Sequence, residues 1–442
     1  MTDVVSQGVQ QEEVSYDTYR IWKRNCIVLY DLCISHILIF PTLALGFQSY
    51  VSESLVTHSF GAHEGKKNTN AASSPSNTSY ASIGFIIGTN TPTTGSDREQ
   101  NYLYVKELAL PCANQTIDSD SIIKRDTGVI VGGYGSSPID KLGSFHDLHW
   151  ITFPSEANAI ACCPHDKNLL AALSNDSVYL YNLVNLKRCS NESEDSVPVA
   201  ILEGLETEGF SLKFSTTRPF FLAGADRNGN VCWWDCKECK LLGRVKLQSD
   251  INGLVIHNHC PILIIVVTDG GEIVLIDTRV CKVLKSYQFN ALLKREGTET
   301  PLIPTAIALS PHDEFSAIIA DSSGTLHLFN LCSLDNGPLK SMAYHTGAVY
   351  QLEWSPFYPS YVLSGSEDSR VVLWDLAQQT RRNVLDDQHS GLPPEVLFIH
   401  GGHTTFITAV AWHPLIPNLI GSAAEDNSLQ FWWPSADYML SS

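Results

Sequence analysis

The sequence predicts an all-β fold, a seven-bladed β-propeller with an N-terminal α-helix packed on its flank, on three observations. The first is an internal repeat. HTGAVYQLEWSPFYPSYVLSGSEDSRVVLWDL, from His345 to Leu376, matches HTTFITAVAWHPLIPNLIGSAAEDNSLQFWWP, from His403 to Pro434. Each has a His, an alternating strand to a Trp, a Pro turn, a second strand, an acidic turn and a third strand ending in Trp, which reads as a meander of short antiparallel strands. The second is its recurrence: weaker copies end at Tyr181-Asn182, Trp234-Asp235, Ile276-Asp277 and Phe329-Asn330, at steps of 42 to 58 residues. The third is composition. Phe 17, Tyr 16 and Trp 9 against Met 3 suits strands better than helical bundles.

A period near or above about 40–45 residues with a terminal WD dipeptide is the signature of WD40 blades. A seventh, degraded unit lies from Ile83 to Leu108. A blade needs four strands, yet nine residues follow Trp433. The last blade must therefore borrow its outer strand, and the apolar stretch Ile37 to Phe47 is the expected donor, closing the ring and removing two bare edges. Residues 1–36 then form a docking segment, 37–434 the propeller and 435–442 a tail.

Ahead of that strand, Val14 to Asn25 reads as a helix: Val14, Ile21 and Trp22 recur at helical spacing, with Asp17 early and Lys23 and Arg24 late. Cys26 to Phe47 is mostly apolar, but Asp31, His36 and Pro41 argue against a membrane span. Residues 61–79 (GAHEGKKNTNAASSPSNTS) and 113–148 are expected to be flexible loops. The N-terminus lacks a basic head and an apolar run, so no secretory signal is expected. Twelve scattered Cys give no disulfide framework, and a soluble intracellular protein is the reading.

With 29 Lys+Arg against 47 Asp+Glu, the net charge of −18 disfavours phosphate backbones and favours basic partners. His345, Ser364, Asp368 and Trp374, and likewise His403, Ser422, Asp426 and Trp432, look catalytic on paper but fit buried brackets between strands. Cys232, Cys236 and Cys239 form a C-x-x-C pattern with no second pair, so neither metal nor cofactor is expected. No phosphate loop, nucleophile elbow or HExxH helix appears, and no enzymatic role is expected.

Two segments carry a more specific likeness. YRIWKRN with LYDL and SHILIFPTL, between Tyr19 and Leu43, and LPPEVLFIHGGHT, from Leu392 to Thr404, resemble the MSI-like, retinoblastoma-binding-type WD-repeat histone chaperones. That family includes the small subunit of chromatin assembly factor and the second subunit of the type B histone acetyltransferase. The resemblance implies a groove between the N-terminal helix and the proline loop that grips the first helix of histone H4, free or in its H3–H4 dimer. Phe398 and Ile399 would form the floor, with Val14 and Ile21 from the helix, beside Pro393 and Pro394. Asp17, Asp386, Asp387 and Glu395 would form the rim. Replacing Phe398 and Ile399 by Ala is expected to abolish capture and spare the fold.

The family's channel mouth also takes basic tails, which maps onto Glu156, Asn158, Glu208, Phe210 and Tyr350. Implied partners are the larger subunits of chromatin assembly, acetyltransferase or deacetylase complexes, without direct nucleic-acid or membrane contact, in the nucleus and also the cytoplasm. The chain departs from the family where Gln388 to Leu392 precede the prolines and at Ser15, which predicts a weaker grip. The alternatives are a propeller chaperone for a basic ribosomal protein and a ubiquitin-ligase adaptor or scaffold. Asp277-Thr278-Arg279 resembles the docking dipeptide of such adaptors.

Overall fold

A computed structural model describes residues 19–26, 28–56, 78–91, 100–111, 145–185, 197–294, 301–377 and 392–435. Their strands form seven four-stranded antiparallel sheets, the blades of a propeller. Blade 1 runs from Leu45–Val56 through Thr78–Gly88 and Asn101–Pro111 to an outer strand, Phe145–Phe153. Blades 2 to 6 repeat this inner-to-outer order within single stretches of chain. The core sits between blades, where Trp234, Trp374 and Trp432 are fully buried at the ends of third strands.

Ring closure follows the expected logic with a different strand. Tyr30–Ile37 pairs with Ser428–Pro434, and Leu45–Val56 opens blade 1. Two physical reasons place the closing strand before residue 37. Leu32 and Ile34 bury themselves with Phe431 and Leu429 on one face while Cys33 packs with Trp432 on the other, so Tyr30–Ile37 is apolar on both faces. Pro41 lacks the N–H that a ladder needs, and residues 38–44 instead carry the chain from the outer edge of blade 7 to the inner edge of blade 1. The propeller thus begins at Tyr30 rather than residue 37. Of the stretches expected to be loops, residues 145–148 belong to the strand Phe145–Phe153 and residues 78–79 to Thr78–Gly88; residues 57–77 and 112–144 lie outside the described residues. Of the expected helix, residues 19–25 are helical, with Cys26 continuing it, and residues 14–18 lie outside the described residues; among the described residues no helix is long and apolar enough to cross a membrane.

The brackets differ between blades. In blade 6, His345 bonds Asp368 through Nδ1 (2.8 Å) and Ser364 through Nε2 (2.7 Å), and Trp374 donates to the same Ser364 Oγ (2.8 Å). In blade 7, His403 bonds Ser422 (2.7 Å) and Ser428 (2.6 Å), and Trp432 donates to Ser422 (3.1 Å). Asp426 does not bond His403 directly; it accepts from Ser428 and Thr404, so Ser428 stands between acid and imidazole. Blade 5 holds a bracket that no sequence pattern announces, with His327 of the third strand joining Asp321 (3.0 Å) to Ser341 (2.8 Å).

Burial pushes His403 and His413 down from their ordinary value of 6.5 to about 4. Both are neutral in the native state at pH 5 while the unfolded chain binds protons, so stability rises with pH through this window and is lost as pH falls from about 6.5 toward 4. Thermal melts between pH 7 and 4.5 are expected to show a falling midpoint, by up to about 1.4 kcal/mol per pH unit for each histidine. His403→Asn should flatten the slope; an unchanged slope contradicts the assignment.

Candidate functional site

The N-terminal helix is fastened to the propeller by a chain of aromatic groups. Trp22 Nε1 donates to the Tyr30 hydroxyl (2.7 Å), which bonds His400 Nδ1 (2.8 Å) on the outer strand of blade 6, Val396–His400. His400 lies flat on Trp432, 4.4 Å between ring centres at 2°, and Tyr30 meets Phe398 edge-on at 5.1 Å. Burial drives the His400 imidazole well below its ordinary range, helped by neighbouring His403, so it is neutral and can accept or donate without a buried charge. The helix sits this close because Gly402 follows the strand. A Cβ on Gly402 would lie 2.7 Å from the Trp22 ring and 2.3 Å from Gln430 Oε1, inside van der Waals contact. The sequence marks Trp22 only as a helix-face residue, and it gives no sign of Tyr30 or His400, because their partners lie up to 370 residues apart.

The proline turn leads directly into this strand. Val396 N–H donates to Pro393 O (3.1 Å); Pro393 is half-buried and Pro394 exposed. Two expectations for this region change. Phe398 and Ile399 are consecutive in a strand, so they project to opposite faces. Phe398 is buried between Tyr30 and Trp432, whereas Ile399 packs into the cluster of blades 5 and 6 with Trp374 and Val396. They cannot form one floor, and Phe398 belongs to the core. Glu395 is not a rim acid either: it is buried and ion-paired with Lys340 of blade 5. Ile21 is the helix residue that keeps an open apolar face, at 61% exposure. Val14, Asp17, Asp386 and Asp387 lie outside the described residues.

The residues expected at the channel mouth fall into two local groups, one around Glu156, Glu208 and Phe210 and one around Tyr350. Burial raises the Glu156 carboxyl, and the charge of Glu208 adds to the rise, so the two acids act on one another. Glu208 pairs with Arg227 (2.7 Å), whose guanidinium lies 5.4 Å from the centre of the exposed Phe210 ring. Tyr350 is half-exposed, its hydroxyl raised by burial and then by Glu367. Asn158 is buried with its amide nitrogen unpartnered. Arg227 escapes a sequence reading because its turn carries no motif, and Glu367, although it lies in the acidic turn of the blade 6 repeat, gives no sign there of its reach to Tyr350.

The remaining candidates have local explanations. Cys232 donates to Gly204 O (3.2 Å), and Cys239 occupies a left-handed turn (φ 52°) against Cys236 O. Among the described residues no group of three His, Cys, Asp or Glu side chains could hold a metal ion. Arg279 folds back on Asp277 with two nitrogens, at 3.1 and 2.7 Å.

The model of a family described as the histone-binding protein RBBP4 or the C component of the CAF1 complex matches residues 17–112, from the helix through the third strand of blade 1. The WD domain, G-beta repeat, matches residues 336–375 and 394–432. Over its length the chain is similar to the histone acetyltransferase type B subunit 2 of Candida glabrata, 26% identical with 98% of this chain and 92% of the relative covered. The protein of the same description from Mycosarcoma maydis is 28% identical, covering 97% and 94%. That of Debaryomyces hansenii is 22% identical, covering 96% and 91%.

Proposed function

We infer that this chain is a divergent member of the WD-repeat histone-binding family, acting as a non-catalytic histone-binding subunit of a chromatin-modifying or chromatin-assembly complex in the nucleus. Its principal guest is the first helix of histone H4, received between the N-terminal helix and the proline turn. The observation that carries this reading is the Trp22–Tyr30–His400 anchor, which holds the helix rigidly against the strand that follows Pro393 and Pro394. A basic amphipathic helix would cover Ile21 and lean on Pro394. Asp17, Asp386 and Asp387, together with the net charge of −18, would steer its Lys and Arg side chains toward the cleft. The channel mouth, with Glu156, Glu208, Phe210 and Tyr350, is proposed as a separate seat for a basic histone tail. Direct binding to nucleic acid is not part of this reading, because the overall charge opposes it.

Ile21→Asp supplies the test, since Phe398→Ala would damage the core. Fluorescence anisotropy with a labelled peptide of the first H4 helix is expected to show at least about a tenfold weaker affinity, corresponding to loss of a buried Ile side chain. An unchanged melting midpoint would locate the loss at the interface. Wild-type affinity in that variant would refute the groove.

A further inference from the structure

We propose that the outer edges of blades 3 and 4 are a second docking surface, built to be covered by an acidic amphipathic helix of a partner protein. The argument starts from an irregularity shared by outer strands. In blade 6, Leu373 pairs with Phe398 and Trp374 with Val396, which leaves Leu397 as the extra residue of a β-bulge. Blade 3 repeats the pattern: Trp233 pairs with Gly243 and Trp234 with Leu241, leaving Leu242. So does blade 4, where Leu275 pairs with Lys285 and Ile276 with Val283, leaving Leu284. Each bulge presents a leucine at the same place on the rim.

Their surroundings differ. Leu397 is 9% exposed because it packs in one cluster with Trp22 and Cys26 of the N-terminal helix. Leu242 and Leu284 are 37% and 57% exposed, and Leu241, Val280 and Val283 beside them are open as well. Blade 6 thus shows what this rim position accepts, a helix laid across it, and blades 3 and 4 carry the same apolar feature without the cover. The two edges are also continuous, since a Cβ on Gly243 would lie 2.7 Å from Cys281 Sγ, next to Lys282.

Charge selects the guest. Lys240–Lys246 (KLLGRVK) and Lys282–Gln288 (KVLKSYQ) contain five cations and no acid, in a chain of net charge −18. Arg244 and Lys246 reach Glu206, and Lys285 reaches Asp335. Cations on an edge also deter strand addition, and a bulge twists the edge away from a strand partner. Side-chain docking of a helix tolerates both devices, and the rim strands carry an excess of cations in a chain whose net charge is −18. The guest is therefore an acidic, Leu-bearing helix rather than a histone segment.

The experiment uses the full chain and a synthetic helical peptide of about five turns, with Leu along one face, Glu flanking it and a photo-crosslinker at its centre. Binding is expected to weaken by about tenfold or more in the Leu242→Ser/Leu284→Ser double variant, with crosslinks to strands Lys240–Lys246 and Lys282–Gln288. H4-peptide affinity should stay at the wild-type value, which separates this surface from the histone groove and reports an intact fold. Equal peptide affinity in wild type and double variant, no measurable binding to the wild type, or crosslinks confined to other blades would each overturn the proposal.

Discussion

Trp432→Ala is expected to lower the unfolding free energy by about 3–5 kcal/mol, the cost of a large cavity in a core that cannot collapse. Trp432 is fully buried and joins three elements. Its ring stacks on His400 at 4.4 Å and on Phe398 at 5.9 Å, and it faces Tyr30 of the closing strand at 6.1 Å. Its Nε1 donates to Ser422, the hydroxyl that also serves His403. The alanine variant loses aromatic contacts and leaves a buried hydroxyl and imidazole to repair their bonds, with no polar solvent to help. Because His400 also holds Tyr30 and Trp22, H4 affinity should fall with stability. Denaturant titration checks the first effect; a midpoint shift equivalent to less than about 1 kcal/mol, for a site of this burial, would mean that blade 7 does not close as described.

Removing residues 1–37 should have a larger consequence, loss of the soluble monomer. Tyr30–Ile37 covers the whole register from Ser428 to Pro434. Without it, the third strand of blade 7 becomes an open edge, and Leu32 and Ile34 no longer shield Leu429 and Phe431. Such a long, apolar edge templates pairing with other chains. Light scattering after size-exclusion chromatography is expected to show aggregates. A chain starting at Val28 keeps the closing strand and should remain monomeric. Adding a peptide of residues 28–38 to the truncated protein during refolding should restore part of the monomer. A monomeric, cooperative truncated protein would contradict strand closure.

Much of this was legible in the residues. The repeat pattern of His, Trp, Pro turn and acidic turn exists because each blade solves the same packing problem, so the blade count and the borrowed outer strand follow from periodicity and a shortage of chain at the end. Choosing which N-terminal stretch closes the ring was harder. Residues 30–37 and 37–47 are both apolar, and only the pairing of Cys33 with Trp432 and of Ile34 with Phe431 decides between them. At the flank, YRIWKRN and PPEVLFIHGGHT marked two segments whose Trp22 and His400 meet in the structure. The roles within them were misassigned, because a motif names Phe398, Ile399 and Glu395 without saying which face each takes or which cation lies near.

Local patterning alone determined the all-β architecture and the seven units, since strand periodicity and turn chemistry are written in neighbouring residues, whereas the pair of segments at the flank was marked by the family resemblance. Burial, partner choice and exposure were settled only by tertiary structure: that Phe398 is core, that Glu395 is neutralised by Lys340, that Trp22 hangs from Tyr30 and His400, and that Leu242 and Leu284 stay bare where Leu397 is covered. The reason is distance along the chain. These contacts join residues tens to hundreds of positions apart, and their energies depend on which groups the closed ring brings within a few ångströms.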